Sequence, residues 1–168
     1  LYCYDNELTS LDVSSNTALT YLNCYSNQLT SLDVSANTAL TSLVCKNNEL
    51  TSLDVSSNTA LNVFRCDNNQ LTSLDVSNNT ALTSLYCHNN QLTSLDVSTN
   101  TALTSLECDN NQLTYLNMKN GVTTQLTTFD ARNNSLTCIE TLDPVYATAN
   151  WSTMIDVGVT FDVICGAA

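Results

Sequence analysis

Six cysteines, Cys3, Cys24, Cys45, Cys66, Cys87 and Cys108, stand at one spacing, each 21 residues from the next. Evenly placed thiols could hold a metal or form disulfides, and the spacing argues against both. Zinc–thiolate sites converge from short C-x₂₋₄-C pairs, which the ladder lacks. Thiols in register on parallel strands would lie about 4.8 Å apart with parallel Cβ vectors, whereas a disulfide needs Cβ atoms about 3.8 Å apart on converging ones. Each cysteine also fills a slot equivalent to neighbouring Leu and Val slots, and a free cysteine packs as a small hydrophobe. The six are therefore expected to be reduced core residues that bind no metal or cofactor.

The other chemistry-bearing types are sparse. His88 is the single histidine; no Ser/His/Asp or Cys/His set forms around it, and it is expected to face solvent. With no G-x-S-x-G motif and no glycine-rich loop, hydrolase and nucleotide chemistry lack support, and the chain is expected not to be an enzyme. Asp12, Asp33, Asp54, Asp75 and Asp96 form a second column. Like charges about 5 Å apart in water repel by roughly 0.8 kcal/mol per contact. The column is expected to be satisfied by Ser or Thr hydroxyls of adjacent rungs rather than by calcium, since the multi-oxygen loop of strong calcium sites is missing. Thr9, Thr30, Thr51, Thr72 and Thr93, with Thr17, Thr38, Thr59, Thr80 and Thr101, are expected to form flat hydroxyl rows. Such rows suggest an alternative function, ice binding or a purely structural or adhesive role, although Thr also suits solvated strands and bends.

These columns need a repeating element to carry them. Each turn reads L-x-C-x-x-N-[QE]-L-T-S-L-D-V-S-x-N-T-A-L-T-x, as in Leu22 to Ser42. It holds two copies of L-x-x-L-x-[CV]-x-x-N, for example Leu19/Leu22/Cys24/Asn27 and Leu29/Leu32/Val34/Asn37. In Leu22-Asn23-Cys24 and Leu32-Asp33-Val34 the period-2 alternation turns Leu, Cys and Val inward and Asn23 and Asp33 outward. One turn cannot bury its own apolar face, but stacked turns share a continuous Leu/Val/Cys/Ala interior. The Asn columns, Asn6 to Asn134 and Asn16 to Asn100, fall where the chain bends inward, and an amide can serve buried backbone there as both donor and acceptor.

The pattern resembles the leucine-rich-repeat superfamily, in its 21-residue class with nested L-x-x-L-x-C-x-x-N-x-L and x-x-L-D-[LV]-x-x-N motifs, over residues 1 to about 137. The resemblance implies an all-β-like, right-handed solenoid of about seven turns with two short parallel strands per turn. The expected division is a solenoid over 1–137 and a C-terminal cap over 138–168. The stretch containing Asn133-Asn134-Ser135-Leu136-Thr137-Cys138-Ile139, Asp143-Pro144, Ala149-Asn150-Trp151 and Cys165 is similar to the cap of secreted or surface repeat proteins of Bacteroidetes. That likeness implies a secreted or cell-surface bacterial protein. In such a compartment oxidation is permitted. Cys138 and Cys165, both outside the 21-residue register and flanking the cap, are then expected to form a disulfide. Trp151, Ile155, Val157, Val159, Phe161, Val163 and Ile164 are expected to cover the end of the core. After Leu116 the chain reaches Leu126 two residues late, which lengthens one bend, and Ala131 takes the cysteine slot.

A chain of 168 residues with 43% hydrophobic content can bury one core. A net charge of −12 with only four basic residues argues against nucleic acid and anionic lipid, and no apolar run reaches the length of a membrane span. Because Leu1-Tyr2-Cys3 falls within a repeat, the first rung is expected to be an open sheet edge, able to pair with another copy of the chain. Outward positions mostly repeat Thr, Ser or Asp. Those flanking the ladder cysteines vary: Tyr2/Tyr4, Asn23/Tyr25, Val44/Lys46, Arg65/Asp67, Tyr86/His88 and Glu107/Asp109. Outward Tyr, His and Arg supply contact energy at interfaces, so this face is the expected binding surface for a protein or glycan.

Overall fold

Each repeat closes one turn of a coil, and the turns stack so that like positions meet. The computed structural model describes residues 1–166. Ten three-residue strands and one helix follow in chain order: β1 (Tyr21–Asn23), β2 (Ser42–Val44), β3 (Val63–Arg65), β4 (Ser84–Tyr86), β5 (Ser94–Asp96), β6 (Ser105–Glu107), β7 (Tyr115–Asn117), β8 (Thr128–Asp130), β9 (Cys138–Glu140), α1 (Pro144–Trp151) and β10 (Thr160–Asp162). The first sheet runs β1-β2-β3-β4-β6-β8 along the cysteine side, and a parallel bridge between Tyr2 and Asn23 adds the first turn. The second, on the aspartate side, runs β5-β7-β9-β10. All pairs are parallel and in register, with Leu22 opposite Leu43 and Leu43 opposite Phe64. The fold is thus a parallel-strand solenoid of about seven turns.

Two strands per turn hold only from β5 onward. In earlier turns Leu32-Asp33-Val34, Leu53-Asp54-Val55 and Leu74-Asp75-Val76 form no ladder. The rungs are spread apart on this side. Leu32, Leu53 and Leu74 are 8–9% exposed where Leu95 in β5 is 1% exposed, and a shallow cleft of about 270 Å³ opens between rungs, lined by Ser31, Leu32, Asp33, Ser52, Leu53 and Asp54. Asparagine replaces the missing ladder there. Asn58 Nδ2 donates to Val34 O at 3.0 Å and to Asn37 O at 2.9 Å, both in the preceding turn, and Asn37, Asn79 and Asn100 repeat the arrangement.

The other asparagine column ties turns even more tightly. Asn69 Nδ2 donates to the carbonyls of Cys45 and Cys66, at 3.1 Å each, while its Oδ1 accepts from Leu50 N at 3.0 Å. Just before this column the backbone enters the left-handed region at Asp5, Ser26, Asn47, Asn68, Asn89, Asn110 and Asn133, with φ of 52–56°. Short polar side chains tolerate that conformation, which sends the chain sharply off the strand.

The ladder cysteines are free. Cys24, Cys45, Cys66, Cys87 and Cys108 are buried, and Cys3 is half-buried. Burial pushes the Cys24 thiol up to about 12 and those of Cys45, Cys66 and Cys108 well above the usual range, so the core holds neutral thiols.

The aspartates find a different partner from the expected hydroxyls of adjacent rungs. Asp12, Asp33, Asp54, Asp75 and Asp96 each accept at Oδ1 from the backbone N–H of the residue two positions on, Ser14, Ser35, Ser56, Ser77 and Ser98, at 2.8–2.9 Å. An Asx turn inside one rung is shorter-range than any contact across the spread rungs. The threonine rows, too, fall on bends and turns instead of a flat sheet face.

Two residues are inserted between β6 and β8, so Ser105 pairs with Thr128, and Gly121, with φ of 78°, makes the longer bend possible. At the C-terminal end Asp143 caps α1, its Oδ1 accepting from Tyr146 N at 2.9 Å, with Pro144 in the first turn. Trp151 packs on Phe129 at 4.8 Å between ring centroids, and Phe161 and Tyr146 meet its edge. Ile155 and Ala147 are buried and Val159 and Phe161 half-buried, whereas Val157, Val163 and Ile164 are exposed and cover nothing. Backbone groups complete the seal: Ala131 N donates to Met154 O, and Asp156 accepts from Asn133 N and Asn134 N at 2.8 and 2.9 Å. The Cys138–Cys165 disulfide, with Cα atoms 5.8 Å apart, closes the segment carrying α1 and β10.

Candidate recognition surface

A strand centred on an inward Leu turns its two flanking residues, and the residue after the cysteine, to the same outer face. The first sheet therefore displays three columns. One holds Tyr21, Ser42, Val63, Ser84, Ser105 and Thr128. The others are Tyr2, Asn23, Val44, Arg65, Tyr86, Glu107 and Asp130, and Tyr4, Tyr25, Lys46, Asp67, His88, Asp109 and Arg132. All twelve expected positions share this face. They are not equally accessible: Tyr2 and Tyr4 are exposed, Tyr25, Lys46, Arg65, Tyr86, His88, Glu107 and Asp109 half-buried, and Asn23, Val44 and Asp67 buried beneath their neighbours.

Eight members of these columns escaped the sequence reading, among them Tyr21, Asp130 and Arg132. Tyr21 follows from the same alternation, being two residues before Asn23, and its ring lies 5.0 Å from that of Tyr2. Asp130 and Arg132 become visible once the two inserted residues are allowed for.

The face changes character along its length. At the first turns the rings of Tyr4 and Tyr25 stack, 4.7 Å apart and 6° from parallel, and Tyr2 meets Tyr4 edge-on. Tyr25 donates its hydroxyl to Asp5 Oδ2 at 3.1 Å; partial burial, then the hydrogen bond to Asp5, raises its pKa. Lys46 Nζ sits 5.3 Å from the Tyr25 ring centre and the Arg65 guanidinium 4.7 Å from that of Tyr86, cation–π contacts that hold these side chains in place. Beyond them the face turns acidic. Asp67 is 1% exposed; its carboxylate meets Arg65 Nε at 3.3 Å, Asn68 Nδ2 at 3.0 Å and His88 Nε2 at 3.5 Å. His88, expected free in solvent, is instead wedged between Asp67 and Glu107, whose Oε2 lies 3.4 Å from Nδ1. At the last rung Arg132 clamps Asp130 through Nε and Nη2. Burial alone would raise Asp130, but the Arg132 hydrogen bonds outweigh it and hold the carboxyl below its ordinary value.

The side chains of this face are held by stacking, cation–π contacts and ion pairing.

No protein-family model matches the chain, and no curated protein matches it. Solved structures do. The functional domain of InlJ from Listeria monocytogenes, described as including a cysteine ladder, is 40% identical, with a TM-score of 0.65 over 84% of this chain and 38% of that one. A leucine-rich-repeat protein of Leptospira interrogans is 26% identical, with a TM-score of 0.74 over 83% of this chain and 38% of its own. An internalin of Listeria monocytogenes, inlF, is 28% identical, with a TM-score of 0.72 over 82% of this chain and 43% of its own. The chain thus spans about two fifths of the length of these neighbours. Stacked 21-residue turns, an in-register sheet on one side and these neighbours together show that the chain has the leucine-rich-repeat solenoid fold.

Proposed function

We propose that this chain is a non-catalytic recognition scaffold that binds a protein partner through the outer face of the cysteine-side sheet, in a secreted or surface-bound bacterial protein. The carrying observation is that residue variation from turn to turn is concentrated on one continuous face, while the aspartate side repeats the same Asx turn. That face is also ordered in advance: Tyr4 on Tyr25, Lys46 over Tyr25 and Arg65 over Tyr86 are already packed. Side chains immobilised before binding lose less entropy on association, and aromatic and Arg residues are the usual anchors of interfaces. The Cys138–Cys165 disulfide supports an oxidising compartment. Among the described residues no helix is long and apolar enough to cross a membrane.

The test is binding of the purified domain to parallel arrays of surface proteins and of glycans. A protein target whose affinity falls at least tenfold in Tyr25→Ala/Tyr86→Ala, with the melting temperature nearly unchanged, supports the reading. Binding confined to glycans, or unaltered in the double variant, contradicts it.

A further inference from the structure

We propose that His88, Glu107 and Asp109 form a binding site for a divalent transition-metal ion on the outer face of the first sheet, with Asp67 as the residue that orients the histidine. One ligand atom from each of the three lies within 4.8 Å of the others. One pair has the geometry of a coordinated edge. Nδ1 of His88 is 3.4 Å from Glu107 Oε2, and two ligands bound tetrahedrally at about 2.0–2.1 Å stand roughly 3.3–3.4 Å apart.

Burial makes that pair informative. Nδ1 is inaccessible to solvent and has no hydrogen-bond partner. On the other side of the ring, Nε2 faces Asp67 Oδ2 at 3.5 Å, and the Asp67 side chain is 2% exposed and fixed by Arg65 and Asn68. With its proton on Nε2, facing that buried carboxylate, the ring presents the Nδ1 lone pair to Glu107. In that tautomer Nδ1 and the facing Glu107 oxygen are two acceptors without a hydrogen between them. A cation placed there satisfies both. The order carboxylate, imidazole, metal is the arrangement in which an outer carboxylate orients a ligating histidine. Arg132, the nearby cation of the last rung, is bound to Asp130 through both Nε and Nη2; Asp109 accepts from Asn110 Nδ2 at Oδ2 alone, which leaves its Oδ1 for an ion.

The donor set selects the ion. One imidazole nitrogen and two carboxylates suit Zn²⁺ and its neighbours in the transition series, whereas Ca²⁺ takes oxygen donors only. Three protein ligands leave one tetrahedral position for water or another donor. The buried ladder thiols are not involved, being neutral and enclosed in the core.

Calorimetric titration of the folded domain with Zn²⁺ alone, and X-ray absorption of the loaded protein, test this. Expected are one ion per chain, a shell of nitrogen and oxygen only at about 2.0–2.1 Å, no measurable binding in His88→Ala, and binding weakened about 10- to 100-fold in Asp67→Asn. Glu107→Gln should weaken it at least tenfold, with circular dichroism confirming that each variant is folded. No binding to the wild-type domain at 100 µM Zn²⁺ would mean that His88 is merely ion-paired and would overturn the proposal. So would undiminished binding in His88→Ala, or sulfur in the metal shell.

Discussion

In each turn after the first, one asparagine amide serves backbone groups of two rungs, so a single side chain acts as a staple. For Asn69 these are the Cys45 and Cys66 carbonyls and the Leu50 N–H. Asn69→Ala leaves the buried Leu50 N–H without a partner, at about 1–3 kcal/mol, while the Cys45 and Cys66 carbonyls keep Asn48 and Asn90 as donors. A loss of about 1–3 kcal/mol is expected in denaturant unfolding, whereas Asn47→Gly, at φ of 53°, should be close to neutral because glycine accepts that conformation freely. Neutral buried thiols give a second expectation. In the native protein iodoacetamide should leave Cys24 to Cys108 unmodified, and after unfolding without reductant mass spectrometry should find six labelled cysteines, with Cys138 and Cys165 protected. Eight labels would contradict it.

The aspartates have a sign that can be checked. Hydrogen bonds from Ser14, Ser35, Ser56 and Ser77 hold Asp12, Asp33, Asp54 and Asp75 below the ordinary value of 3.8. Depressed carboxylates contribute stability that is present above their unfolded pKa and lost as pH falls through the folded one. The melting temperature should therefore drop between pH 4 and pH 2.5, and less steeply in Asp54→Asn/Asp75→Asn. The columns themselves were legible because a 21-residue period puts like residue types in register; the inward slots of Cys and Leu followed from alternation. The left-handed residues at Asn47 and Asn68 were hidden beside the more regular Asn48 and Asn69, since composition alone does not separate a staple from a bend.

Among the elements, the two strands of a turn read alike in sequence, yet only the cysteine-side strands pair throughout. Pairing needs rungs within hydrogen-bond reach, and that distance depends on how the stacked turns curve, which no single repeat encodes. Hence Leu32-Asp33-Val34 and Leu95 occupy equivalent slots but differ in pairing. The end of the coil was partly legible. Trp151 and Ile155 do bury against the last turn, but Val157 and Ile164 stay exposed, and the open backbone of that rung is taken by Asp156 and the Met154 carbonyl. Bridging residues 27 apart removes unfolded-chain entropy. The Cys138→Ala/Cys165→Ala variant should lose roughly 3–4 kcal/mol by the chain-entropy relation. Fluorescence of Trp151, the one tryptophan, reports the loosening. Unchanged unfolding of that signal would show that packing alone holds the end. The threonine rows, set on corners, should produce no thermal hysteresis in ice-growth assays.

At the scale of the whole molecule, one side of the coil is constant and the other individual. The constant side repeats Asx turns and shallow clefts; the individual side runs from stacked tyrosines, through Lys46 and Arg65 on aromatic rings, to the acidic rungs around His88. Which face would vary was visible from the residues beside each cysteine. That Asp67 would be buried and His88 held between carboxylates was not, because those facts arise only when three consecutive turns are stacked.

The most direct test of recognition by this face is a photocrosslinking scan against the partner found on the arrays, with a benzoylphenylalanine placed at Lys46 on the cysteine side or at Ser52 on the aspartate side. The account predicts efficient crosslinking from position 46 and none above background from position 52. Crosslinking from position 52 with none from position 46 would contradict it.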